Sequence, residues 1–164
     1  KYDTSAAGSK KSFNDYQVGE LIDHIDGNTI CEADHLFATR LWQNNSKVHF
    51  DINAREDKKR LIYGGHIISL VRALSFNGLE NAQLIVGING GTHANPVFAE
   101  DTIYCWSEVL DKIDLNVRNI AALRLRSAGT KEKNHNMRLK SDDGKYLPTI
   151  VLDFDYWVLV PREL

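Results

Sequence analysis

The chain has 164 residues, 43 % of them hydrophobic, which suits one domain with a buried core and is too apolar for a disordered segment. Its formal charge of -2 argues against a broadly basic nucleic-acid binder. No apolar run is long enough to cross a bilayer and no signal-peptide pattern opens the chain, so a cytoplasmic protein with no membrane partner is expected.

Residues 1–12 are small and polar and read as a flexible tail or linker, with the ordered domain expected over residues 13–162. Thr29 and Glu32 have the spacing of a capping box, and Ile30, Ala33, Phe37 and Leu41 follow at helical spacing, which predicts a first helix over about Ile30 to Trp42. Gln43 to Lys47 is polar and reads as a loop. A second helix opens at Tyr63-Gly64-Gly65-His66 and ends at Asn77-Gly78. It is apolar nearly all round, apart from Ser69, Arg72 and Ser75, so burial on several sides is expected. Strand patterns then follow: Gln83 to Asn89, Thr102 to Leu110, Ile120 to Gly129 and Tyr146 to Val160. In the third of these, Ala122, Arg124 and Arg126 alternate with Leu123 and Leu125. Residues 131–145 are polar and carry a Ser141-Asp142-Asp143-Gly144 turn, and Pro161 closes the last strand. The class is α+β. A curved antiparallel sheet wrapped around one long buried helix would satisfy this order, and that is the single-domain hot-dog arrangement.

Candidate chemistry sits at three places. The Gly64-Gly65 helix start offers unpaired amides and partial positive charge to an oxygen that gains negative charge, or is a turn with no ligand. The loop before Phe50 holds His49, either a proton-transfer group or a packed surface histidine. Gly90-Gly91-Thr92-His93, running on to Phe98, either passes close to a ligand or forms a bulge and turn. His24, His35 and His66 read as structural and His135 as solvated. Cys31 and Cys105 lie in no CxxC and at no metal-ligand spacing, so reduced thiols and no metal are expected. Lys58-Lys59-Arg60 is either a solvated turn or a contact for the phosphates of a nucleotide such as CoA. Arg162-Glu163-Leu164 does not read as an address signal.

Phe13-Asn14-Asp15-Tyr16-Gln17-Val18-Gly19-Glu20 resembles the opening motif of the MaoC-like dehydratases, and Pro96-Val97-Phe98-Ala99-Glu100-Asp101-Thr102 resembles their PVFPGDT segment. Val48-His49 lies where that family has GDxNPLH, and Tyr63-Gly64 lies on the HG that opens its central helix. Residues 38–44, 47–50, 60–66, 73–78, 88–91, 106–112 and 155–158 are similar to the C-terminal half of the mesaconyl-CoA hydratases, also called β-methylmalyl-CoA dehydratases.

This resemblance implies a hydro-lyase that reversibly adds water to an enoyl-CoA, mesaconyl-CoA to β-methylmalyl-CoA, with CoA as part of the substrate and no separate cofactor. It places His49 as the base and Asn44 on the family aspartate, with Gln43 as the alternative register. An amide takes no proton, and it orients water without setting a second negative charge beside a carboxylated substrate. The implied thioester-oxygen donors are the Gly64 and Gly65 amides, with Arg40 or Arg60 as a carboxylate clamp and Gly90 and Gly91 as further substrate contacts. The resembled enzymes carry two hot-dog halves, so a homodimer or higher homo-oligomer is expected to supply the second. The rival readings are a general (R)-specific enoyl-CoA hydratase, a hot-dog thioesterase and a non-catalytic partner domain.

Overall fold

A computed structural model describes residues 3–82, 84–133 and 136–162. His135, Gln83 and the last two residues, each named in the sequence reading, lie outside the described residues. The elements, in chain order, are β1 (Leu21–Thr29), α1 (Glu32–Leu41), α2 (Gly64–Leu74), β2 (Leu84–His93), β3 (Thr102–Val117), β4 (Ile120–Thr130) and β5 (Ile150–Pro161). The strands form one antiparallel sheet in the order β1-β3-β4-β5-β2.

The alternation read in β4 holds. Leu123 and Leu125 are fully buried beneath α2, while Arg124 and Arg126 lie on the outer face. There Arg124 forks onto Asp155 at 2.9 and 2.6 Å, and Arg126 sits between Glu108 and Asp153. Ile67 and Val71 of α2 are buried on the inner face. Gly129 of β4 makes that approach possible, because a Cβ there would meet Val71 Cγ2 at 2.8 Å.

A polar row crosses the floor of this core. His24 Nε2 contacts Ser107 Oγ at 2.8 Å, Ser107 contacts Ser127 Oγ at 2.7 Å, and Ser127 contacts the Tyr156 hydroxyl at 3.0 Å. His24 Nδ1 donates to Asn77 O at 2.6 Å, which ties the row to the segment that follows α2. Its members are buried and partnered, so they hold four strands together without leaving an unsatisfied group among them.

Four expectations are corrected. The capping box does not form: Thr29 ends β1 and spends its hydroxyl on Thr102 at 2.7 Å, while Glu32 pairs with Arg60. Cys31 becomes the N-cap, without a side-chain bond. The stripe that marked α1 as amphipathic points outward: Phe37 and Leu41 are exposed, and the buried residues are His35 and Thr39. Helix α2 is covered on one side only, with Ser69 and Ala73 exposed. A strand that the sequence reading passed over, β1, precedes α1; its register breaks between Asp23 and Gly27, where Ile25 takes a φ of 67°.

Residues read as a tail also make contacts. Asn81 donates to the carbonyls of Ser9 and Lys11 at 3.0 Å each, and Ser12 is fully buried. Among the described residues no helix is long and apolar enough to cross a membrane. Cys31 is exposed and free, and Cys105 is buried and free, its thiol pushed up by burial.

Candidate active site

A cavity of about 510 Å³ opens between the N-terminus of α2, the loop before it and the segment after β2. Asn44, His49, Tyr63, Gly64, Gly65 and His93 are among its lining residues. Two regions read separately in the sequence therefore share one wall: the His49 loop and the Gly64-Gly65 helix start.

His49 ends a short 3-10 turn, Lys47–His49. Its Nδ1 lies 2.8 Å from Leu61 O, and a carbonyl can only accept, so Nδ1 carries the proton. Nε2 is then the lone-pair nitrogen, the form a general base requires. The Tyr63 ring packs 5.9 Å from the His49 ring, edge on. Leu61 N donates back to Val48 O at 2.9 Å, which fixes the two segments against each other.

Gly64 and Gly65 open α2, so their amides have no partner within the helix. Both positions are crowded. A Cβ on Gly64 would meet His93 Nε2 at 2.5 Å, and a Cβ on Gly65 would meet the Tyr63 ring at 2.5 Å. The glycines thus let two rings press against the helix start while its amides stay open to the cavity.

Asn44 Oδ1 accepts from Ser46 N at 2.9 Å, which pins the side chain and leaves the Nδ2 donors for another group. No Asp or Glu lines the cavity among the described residues. The other nominated residues lie elsewhere. Arg40 is exposed on α1, away from the lining. Arg60 donates to Glu32 at 2.6 Å and to Phe50 O at 3.1 Å, so its fork is already engaged. Neither arginine lines the cavity. Gly90 and Gly91 belong to β2, beside the register shift that follows Ile88, and stand outside the lining. The segment from Gly90 to Phe98 combines both readings: a bulge precedes Gly90, and His93, Ala94, Asn95, Pro96 and Val97 line the cavity.

The sequence reading set His35 and His66 aside as scattered. In space, the His35 ring lies 6.3 Å from that of His49 and 6.4 Å from that of His66. His35 is fully buried with neither ring nitrogen hydrogen-bonded, and burial, with His66 and His49 nearby, brings its pKa down to about 4. Burial also lowers His24, His66 and His93. The helical spacing of His35 on α1 gave no hint of this, because its partners come from distant segments.

These shifts set a stability trend. Between pH of about 6.5 and about 4 the unfolded chain binds a proton at position 35 that the folded chain refuses, so stability falls as pH drops through that window. The effect is at most about 3 kcal/mol from His35. Urea midpoints measured from pH 7 to pH 4 should fall, and His35→Leu should flatten the slope. An unchanged slope in the variant would contradict the assignment.

No family model matches the chain. It is 57 % identical over 161 residues to a mesaconyl-CoA hydratase of Cereibacter sphaeroides, covering 98 % of this chain and 47 % of that protein. It is 52 % identical over 167 residues to a β-methylmalyl-CoA dehydratase of Chloroflexus aurantiacus, again covering 47 % of the relative. The crystal structure of a protein described as a MaoC domain dehydratase from Chloroflexus aurantiacus superposes with a TM-score of 0.95 at 50 % identity, over 99 % of this chain and 48 % of that one. A double hot-dog protein from Mycobacterium tuberculosis matches with a TM-score of 0.68 at 16 % identity, which bears on the fold alone.

The structure is therefore a single hot-dog domain of the kind seen in MaoC-like dehydratases. In sequence it is homologous to mesaconyl-CoA hydratase, also named β-methylmalyl-CoA dehydratase, and it spans about half the length of those curated relatives.

Proposed function

We propose that this domain catalyses the reversible hydration of an enoyl-CoA, with mesaconyl-CoA as substrate and β-methylmalyl-CoA as product. The observation that carries the reading is the shared wall of the cavity: His49, with Nδ1 tied to Leu61 O, and the open amides of Gly64 and Gly65. The thioester oxygen faces those amides. His49 Nε2 takes a proton from water as the hydroxyl adds to the β-carbon, and charge moves onto the thioester oxygen. His49 Nε2 then gives that proton to the α-carbon and the thioester carbonyl re-forms, which returns the base to its starting state. Asn44 Nδ2 donates to the water and holds it near the base. A thioesterase that uses a carboxylate would need one at the helix start, and none lines the cavity among the described residues.

Assembly belongs to the same proposal. Edge strand β2 exposes Leu84, Val86 and Ile88, and α1 exposes Phe37, Leu41 and Trp42, surfaces that suit a second hot-dog unit. A second copy of this chain is the occupant proposed for these surfaces, as a homodimer or higher homo-oligomer. Sedimentation of this chain as a monomer at micromolar concentration would remove the dimer from the account.

The test of function is loss of enoyl-thioester absorbance with mesaconyl-CoA, run beside crotonyl-CoA. Rapid loss with mesaconyl-CoA is expected. Loss with crotonyl-CoA alone moves the assignment to a general hydratase, and free-thiol release moves it to a thioesterase.

A further inference from the structure

Among the described residues the lining of the cavity contains no lysine or arginine, so the phosphates of a CoA thioester need cations outside it. Two lining segments lead out together. Residues 61–62 and 96–97 are joined by a hydrogen bond from Ile62 N to Val97 O at 2.9 Å. One step beyond each lies an unusual cluster. The Arg55 guanidinium and Lys59 Nζ each stand 5.6 Å from the centre of the Phe98 ring, and Lys131 Nζ stands 6.0 Å from it. Lys133 Nζ stands 5.8 Å from the Tyr104 ring.

Three like charges around one ring repel each other, and the negative face of the ring offsets only part of that repulsion. Asp57 neutralises Arg55 and Asp101 neutralises Lys131. Among the described residues, Lys58, Lys59 and Lys133 form no ion pair, and Lys59 and Lys133 are exposed. In a chain whose formal charge is -2, this is a local departure from the overall balance. An open depression of about 370 Å³, lined by Arg55, Glu56 and Asp57, lies on the Arg55 side of the cluster, so the free positive charge sits on the Lys59 side. From Gly64 back to Lys59 the extended chain spans at most about 18 Å, a reach that an outstretched pantetheine arm matches.

We propose that Lys59, gathered with Arg55 and Lys131 around Phe98, and Lys133, beside Tyr104, form a subsite for the phosphorylated nucleotide end of the thioester, with the pantetheine arm lying along the surface of residues 59–62 and 96–98. The inference rests on the enoyl-CoA reading above and adds what holds the far end of the substrate. Lysines act here as point charges for phosphate rather than as planar forks.

Calorimetric titration with CoA, dephospho-CoA and pantetheine tests it, on the unaltered protein and on Lys59→Glu/Lys133→Glu. The unaltered protein should bind CoA about tenfold or more tighter than pantetheine, and that ratio should collapse toward one in the double variant. Raising the salt should erode the same ratio. Lys145→Glu, a charge reversal away from the cluster, should keep the full ratio. A ratio near one in the unaltered protein, or an unchanged ratio in the double variant, overturns the subsite. If the double variant unfolds, Phe98→Leu serves instead and should lower the ratio by loosening the cluster. Hydration assays in parallel separate this inference from the function. A phosphate-dependent ratio without hydration keeps the subsite and ends the hydratase reading. Equal turnover of mesaconyl-CoA and mesaconyl-pantetheine does the reverse.

Discussion

His49→Ala should lower the rate of mesaconyl-CoA hydration by about 10²–10⁴-fold, the range that a positioned general base contributes. The fold should survive. The ring is half-buried, and its one hydrogen bond, to Leu61 O at 2.8 Å, stabilises the structure by about 1 kcal/mol. Substrate affinity should change little, because the imidazole acts on water and proton rather than on the CoA body. The diagnostic result is thus a fall in kcat with KM held, alongside an unaltered circular dichroism spectrum. His49→Gln keeps a polar group of similar size that cannot accept the proton, so it should be nearly as slow. Unchanged turnover in either variant would remove His49 from the mechanism.

Gly64→Ala should cost about 10²–10³-fold in kcat, the usual penalty for losing an aligned oxyanion donor. The new Cβ would lie 2.5 Å from His93 Nε2 and 2.8 Å from His93 Cε1, so ring or helix start must move. The atoms met are the far end of the His93 ring, exposed at the end of β2, and the expected loss arises where the first turn of α2 moves as well as the ring. Displacing that turn swings the Gly64 and Gly65 amides away from the cavity. Overpacking of this kind destabilises by about 1–3 kcal/mol, so a lowered melting temperature should accompany the slower rate. Gly64→Ala/His93→Ala should recover part of the activity by reopening the space. Wild-type kcat in the single variant would show that these amides do not stabilise the transition state.

The sequence was most legible where periodicity is regular. The alternation in β4 separates Leu123 and Leu125 from Arg124 and Arg126, as the sheet does. Helix α2 began at Gly64, where the glycine pair marked it, and Gly78 takes a φ of 100° just beyond its end. β1 was illegible because a bulge at Ile25 breaks its alternation and half its residues are polar. The Thr29-to-Glu32 spacing misled because the sheet had a prior claim on the Thr29 hydroxyl, and tertiary pairing overrides a local cap. Helix α1 misled in another way. Its apolar stripe, Phe37 and Leu41, is real, but it faces outward in the single chain.

At the site, His49, Asn44, Gly64 and Gly65 were legible through local loop and helix-start chemistry, helped by the family resemblance, and they come to one cavity. Tyr63, His93 and His35 were not. His93 and His35 acquire their places from long-range packing, His93 against Gly64 and His35 between His49 and His66, while the Tyr63 ring folds over Gly65 and against His49. Arg40 and Arg60 were nominated because an arginine fork matches a carboxylate, and that match does not reveal that Glu32 and Phe50 O hold Arg60.

The most direct test of the central claim is hydration of mesaconyl-CoA in ¹⁸O-labelled water, followed by mass spectrometry of the acyl product, for the unaltered chain and for His49→Ala. The account predicts one labelled oxygen in the hydroxyl of the product from the unaltered chain, with the thioester intact, and no product above background from the variant. Labelled free acid with released CoA, or equal labelling by both proteins, would contradict it.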